Sequence, residues 1–130
     1  MKSDELKNRT KQFALRVIRL TDSLPRRMSA DVLGRQLLRS ATSVAANYRS
    51  ACRAKSRADF ISKMGTVEEE ADEFSLWLEL IGESGLLAPA KLDALHQEAE
   101  ELTAIAVASI RTARRSPANP QSAVRNPQSR

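Results

Sequence analysis

Aromatic side chains are scarce in this 130-residue chain: one Trp, one Tyr and three Phe make up 4% of it. A core of stacked rings is thereby excluded, and the 42% of apolar residues must pack mainly as aliphatic and alanine side chains. The single cysteine, Cys52, leaves no intrachain disulfide and points to a reducing compartment, so a cytoplasmic protein is expected. The opening MKSDELKNRTKQF carries acids and no apolar h-region, unlike a secretory signal. No run approaches the roughly 18 apolar residues that a membrane span needs. Histidine occurs once, at His96, and no Glu-x-x-His pairs of a dinuclear bundle site are present. Zinc-ligand spacing, a glycine-rich phosphate loop and a nucleophile elbow are also missing. The chain therefore reads as a non-enzyme, with no cofactor, metal or small-molecule substrate expected.

What is present is helical periodicity. Leu6, Thr10, Phe13, Val17, Leu20 and Leu24 recur at alternating steps of four and three, which marks one apolar stripe of a helix. Pro25 closes it, because the residue before a proline is pushed out of the α region. A second stripe runs Ala30, Gly34, Leu37, Ala41, Val44, Tyr48 and Ala51, with Ser29 as an incomplete cap. The third runs Phe60, Met64, Val67, Ala71, Phe74, Leu78 and Ile81, begun near Ser56 and stopped by Gly85. The fourth follows Pro89 through Leu92, Leu95, Ala99, Leu102 and Ala106. Helices are thus expected over 4–24, 29–54, 56–84 and 89–115. Short links force antiparallel neighbours, so the expected fold is an all-α, up-down-up-down four-helix bundle over 1–115. Residues 116–130, with three prolines and no helical spacing, are expected as a disordered tail.

Charge is segregated along the chain, whose net formal charge is +5. Arg26 to Arg57 holds eight bases and one acid, Asp31, while Asp59 to Glu83 holds eight acids and one base, Lys63. If helices 2 and 3 form a hairpin turning near residue 56, positions summing to about 112 face each other. Arg53 is then expected beside Asp59, Arg39 beside Glu73 or Asp72, and Gly65 opposite Asn47 and Tyr48, making room for the ring. One reading is therefore electrostatic matching between neighbouring helices or subunits. The other places Lys2, Lys7, Arg53, Lys55, Arg57, Arg111, Arg114 and Arg115 together at one pole of the bundle, as a surface for the phosphates of RNA or DNA. Without a free aromatic platform such binding would show little sequence preference.

The run LLRSATSVAANYRSA, Leu37 to Ala51, is built largely from small residues. Leu38, Ala45 and Cys52 recur every seven residues beside the main stripe, so helix 2 is apolar on more than one side. Small side chains allow close backbone approach, within the bundle or between copies. Arg35, Arg39, Ala41, Ala45, Tyr48 and Trp77 are the candidates for such packing, with Trp77 either covering the core rim or anchoring a partner. Cys52 is read as a small apolar packing residue, His96 as an inert surface histidine, and Glu68, Glu69, Glu70, Asp72 and Glu73 as a solvated or ion-paired face.

The segments GRQLLRSATSVAANYRSACRAKSRADFISKM and EEEADEFSLWLELI resemble the four-helix-bundle family encoded within intervening sequences of bacterial 23S ribosomal RNA genes, related to the accessory variability proteins of diversity-generating retroelements. The likeness spans roughly Phe13 to Leu102, with QLLRSATSVAANY and WLEL its most specific parts. It implies a ring-like homopentamer, and a partner that is nucleic acid or a nucleic-acid enzyme such as a reverse transcriptase. GTVEEEADE is more acidic than the family pattern, and the proline-rich tail also departs from it. Two functions thus stand side by side: a homo-oligomeric accessory or scaffold factor that touches nucleic acid through a basic surface, and a purely structural or protein-interaction bundle.

Overall fold

The computed structural model describes residues 2–115; the segment 116–130, expected as a disordered tail, lies outside them. Four helices follow in order, α1 (Ser3–Asp22), α2 (Met28–Ala51), α3 (Arg57–Glu83) and α4 (Asp93–Arg115), with a 3-10 turn at Pro89–Lys91. The fold is all-α, and no strand occurs among the described residues.

The helix ends follow local chemistry, and several differ from the expected bounds. α1 stops at Asp22 instead of Leu24, and Leu24 N–H donates to the Thr21 carbonyl at 3.2 Å in a tight turn, since Pro25 bars Leu24 from the helix. α2 stops at Ala51 instead of residue 54, with Arg53 and Ala54 closing short turns onto Ser50 and Ala51. Its N-cap is Arg27, which makes no side-chain cap bond, so Ser29 lies inside the first turn and does not cap. Ser56 does cap α3, its Oγ accepting from Asp59 N–H at 3.0 Å. At the far end Gly85 adopts φ +80°, Gly85 N–H donates to the Gly82 carbonyl, and Leu86 N–H donates to the Ile81 carbonyl. Leu86 and Ile81 are both buried, which completes a Schellman stop. Pro89 opens the 3-10 turn, and α4 itself begins four residues later than expected.

The buried residues follow the stripes. Phe13, Val17, Leu37, Ala41, Val44, Ala71, Phe74, Ile81, Ala99 and Ala106 are fully enclosed. The Phe13 and Phe74 rings meet edge-to-face, centroids 4.7 Å apart and planes at 62°, a geometry worth about 0.5–1.5 kcal/mol beyond area burial. Two small polar residues share the core: the Thr10 hydroxyl donates to the Leu6 carbonyl at 3.0 Å and the Ser40 hydroxyl to Gln36 at 2.9 Å. Each hydroxyl is thereby satisfied within its own helix.

α2 packs against α1 and α3, and α3 against α4, while α1 and α4 meet more sparsely. The starts of α1 and α3 and the ends of α2 and α4 line one cleft, and across the seams Arg39 meets Glu70 and Glu73, Glu79 meets His96, and Arg9 meets Glu98 and Glu101. This agrees with an up-down-up-down order.

Gly65 corrects one expectation, since a Cβ built there meets nothing within 4 Å and the glycine makes no room for Tyr48. Replacing Gly65 with Ala is expected to raise unfolding free energy by about 0.5–1 kcal/mol through helix propensity. Gly85→Ala should instead lower it by roughly 1–2 kcal/mol, because a Cβ is strained at positive φ. Urea unfolding of the two variants gives shifts of opposite sign; shifts of the same sign would contradict this account of the α3 end.

Candidate functional site

The bundle presents three distinct surfaces, each built where two or more helices come side by side.

The helix ends on which the basic pole was expected lie together. Leu6 of α1, Tyr48 of α2, Phe60 of α3 and Ile105 to Ala113 of α4 line one cleft of about 660 Å³, so these helix ends do converge. Lys2, Arg53, Lys55, Arg57, Arg111, Arg114 and Arg115 are exposed around them, and Lys7 is half-buried. Part of this charge is committed locally. Asp59 accepts from Lys63 Nζ at 2.7 Å and from the Lys55 backbone N–H at 3.1 Å, so it does not pair with Arg53 as expected. The physical reason is its place in the first turn of α3, where the free N–H groups of the helix start compete for a carboxylate. Those hydrogen bonds, Lys63 first and then the Lys55 backbone, hold the Asp59 carboxyl below the usual range. Burial pushes the Tyr48 hydroxyl well above its ordinary value, with the neighbouring Cys52 adding to it.

A second surface lies in the seam of α1 and α2. Lys7 and Lys11 from α1 and Arg49 from α2 border a groove of about 390 Å³ that Ala14, Leu15, Thr42, Ala45 and Ala46 also line. Lys11 and Arg49 are cationic partners that the pole reading overlooked. Ala45 belongs to this floor and is half-buried, whereas Ala41 and Tyr48 sit in the bundle's own core. Arg35 is exposed at the other end of the same seam, in a cleft of about 240 Å³ by the α1–α2 turn that Arg26 and Gly34 also line.

The third surface is the outer flank of α2 and α3. Arg39 donates to Glu70 at 3.0 Å and to Glu73 at 3.1 Å. This bears out the expected Glu73 partner and replaces Asp72 by Glu70, which lies one turn before Glu73 on the same face. Among the described residues Arg39 is the only α2 cation in an ion pair with α3, so the broad matching of their opposite charges is not seen there within one chain. Steps of seven residues keep a helix face, and Val32 on α2 and Leu80 on α3 are seven residues from Arg39 and Glu73. They extend the same flank, joined by Met28 and Leu76. Met28, Val32, Leu76 and Leu80 are 84%, 56%, 47% and 40% exposed, four of the five large hydrophobics so exposed among the described residues. Trp77 is half-buried beside them against the core, and its indole N–H is buried without a hydrogen-bond partner among the described residues.

The sparse α1–α4 seam is closed by a cluster that the linear sequence does not announce. Arg9 donates through Nε and Nη2 to the two Glu98 oxygens at 2.7 Å and through Nη2 to Glu101 at 2.6 Å. A bidentate fork of this kind joins orientation to attraction. Glu101 is held below the usual carboxylate range by Gln97 first and by Arg9. His96 is half-buried, with Nε2 at 3.2 Å from Glu79 and Nδ1 at 3.8 Å from Glu100, a bridge between α3 and α4. Among the described residues no group of three His, Cys, Asp or Glu could hold a metal ion, and no helix is long and apolar enough to cross a membrane.

Convergent helix ends, a cationic groove and an exposed apolar flank thus mark the surface of an all-α helical bundle. Against known proteins, the model of the 23S rRNA-intervening sequence protein family matches residues 2–108, and the chain belongs to that family. Among solved structures it is similar to a protein of unknown function from the S23 ribosomal protein family of Bacteroides thetaiotaomicron, with 32% identity and a TM-score of 0.79. The match covers 85% of this chain and 99% of that one. No curated protein matches.

Removing the Arg9 fork leaves Glu98, whose side chain is 15% exposed, without its cation. Arg9→Ala should therefore lower unfolding free energy by roughly 1–3 kcal/mol. The stability tied to the lowered Glu101 pKa is present above the ordinary carboxylate range and lost as pH falls through the lowered value. Thermal melts of the wild type should fall on acidification below about pH 4, and the Arg9→Ala melt should fall less; parallel curves would rule the fork out as a contributor.

Proposed function

We propose that this chain is a non-enzymatic, homo-oligomeric helical bundle, pentameric as the family resemblance implies, that serves as an accessory or scaffold factor and contacts nucleic acid through a basic surface. The observation that carries the self-association is the exposure of Met28, Val32, Leu76 and Leu80, which helical spacing assigns to the outer flank of α2 and α3. An apolar strip with a polar border is what a subunit contact covers. The charges left unmatched between α2 and α3 support the same idea, since a basic surface on one copy and an acidic surface on another attract. A head-to-tail contact of this kind closes into a ring when its rotation permits.

Nucleic-acid contact is supported by the net charge of +5 and by cations such as Lys11 and Arg49, which form no ion pair among the described residues. Counterion release then supplies affinity without base contacts. The protein acts in the cytoplasm on this reading, as its single cysteine suggests. The second reading, a purely structural or protein-binding bundle, keeps the apolar flank and assigns the cations to subunit contacts. The lone Arg39 bridge between α2 and α3 is the observation in its favour.

Light scattering tests the shared part: Leu76→Asp with Leu80→Asp should reduce the mass in solution to that of the monomer while the helical content stays. A wild-type mass equal to one chain would remove the oligomer altogether. Retention on RNA or duplex DNA separates the two readings, because a phosphate-driven affinity falls steeply between low and moderate salt.

A further inference from the structure

We propose that the groove between α1 and α2 binds the phosphate backbone of a double-stranded nucleic acid, with Lys7, Lys11 and Arg49 as its contacts. This rests on the nucleic-acid reading above and moves the contact from the pole of the bundle to its side.

Three observations converge on the groove. The first is the placement of charge. Lys7 and Lys11 stand one turn apart on α1, and Arg49 reaches the same groove from α2. Like charges four residues apart on a helix cost a few tenths of a kcal/mol, so the arrangement does nothing for the bundle itself. It suits a polyanion.

The second is the lack of compensation. Among the described residues Lys11 and Arg49 form no ion pair, and Lys7 makes one long contact, 3.8 Å, with Asp4, whose side chain is 94% exposed. Arg9 and Arg39, by contrast, each engage two glutamates. The fold thus consumes some of its cations and leaves these three open.

The third is the floor. Besides Thr42 and the half-buried Leu15, the lining between the cations is Ala14, Ala45 and Ala46, whose methyl groups leave room for a convex sugar-phosphate strand. This gives the outward small residues of α2 a use that core packing does not explain, because Ala45 is half-buried and Ala46 is exposed. The groove contains no ring on which a base could stack: Tyr48 is 6% exposed, and the indole nitrogen of Trp77 is buried on α3. Single strands bind through such stacking, and duplexes present phosphate rails without it. A duplex is therefore the favoured form, with RNA and DNA sharing the chemistry.

The test is a salt titration of full-length protein binding to a short DNA duplex, an RNA duplex of the same sequence and the corresponding single strand. Lys7→Gln/Lys11→Gln/Arg49→Gln should reduce the slope of log affinity against log salt by about 2.7 on duplex DNA for each protomer in contact, three phosphates at about 0.9 each. Lys7→Arg/Lys11→Arg/Arg49→Lys should bind as the wild type does. A pole variant, Arg53→Gln/Lys55→Gln/Arg114→Gln, should keep most of the slope. Lys11 and Arg49 are exposed, and circular dichroism should show the helices intact in every variant. Stronger binding to either duplex than to the single strand supports the groove, and the tighter of the two names the natural class. If the pole variant loses binding while the groove variant does not, the groove is wrong and the nucleic-acid reading survives. Equal or tighter binding to the single strand would overturn the duplex assignment. A groove variant of lower oligomer mass with an unchanged salt slope would make the groove a contact for an acidic protein surface. Absence of wild-type binding to every probe would overturn both the groove and the reading beneath it.

Discussion

Everything in this bundle depends on a division of volume between its diagonals. Phe13 on α1 and Phe74 on α3 touch at 4.7 Å across the centre. α2 and α4 contribute Ala41, Ala99 and Ala106 to the same core as fully buried residues. Ala41 is fully enclosed, so a larger side chain there would overpack the core, at a typical cost of about 1–3 kcal/mol. Low side-chain volume on α2 is thus first a condition for the core, and only on its outer side a surface feature.

From that arrangement the three surfaces follow. α2 packs closely on both α1 and α3, so the cations on its two flanks meet different neighbours. On the α3 flank Arg39 finds Glu70 and Glu73. On the α1 flank Arg49 finds Lys7 and Lys11 and no acid of opposite helix. The remaining seam, between α1 and α4, has the least direct packing and relies on the Arg9 fork to Glu98 and Glu101. The chain's membership of the 23S rRNA-intervening sequence protein family extends over residues 2–108, nearly the whole of this bundle.

Much of the fold was readable from single residues. The four stripes named nearly every buried position, and Ser56 and Gly85 bounded α3 by capping and by a left-handed stop. The misses are equally local in cause. Ser29 looked like a cap, but the chain enters α2 from the Pro25 turn, which makes Arg27 the N-cap and carries Ser29 into the first turn. Gly65 looked like a relief for Tyr48, but nothing lies near its Cβ position. Of the candidate surface residues, Lys7 lines the α1–α2 groove, while no role was expected of Arg9, Lys11 or Arg49. No spacing rule marks them, since each matters only through a partner on another helix.

Periodicity, capping and charge composition belong to the linear chain, because they depend on neighbours within one or two helical turns. Helix number, core faces and the surplus of positive charge were therefore settled before any helix met another. Which cations stand together, which are neutralised and which hydrophobics stay in water depend on how each helix is rotated and slid along its neighbours. Packing of all four against one shared core sets that rotation and slide, and only the assembled bundle decides them.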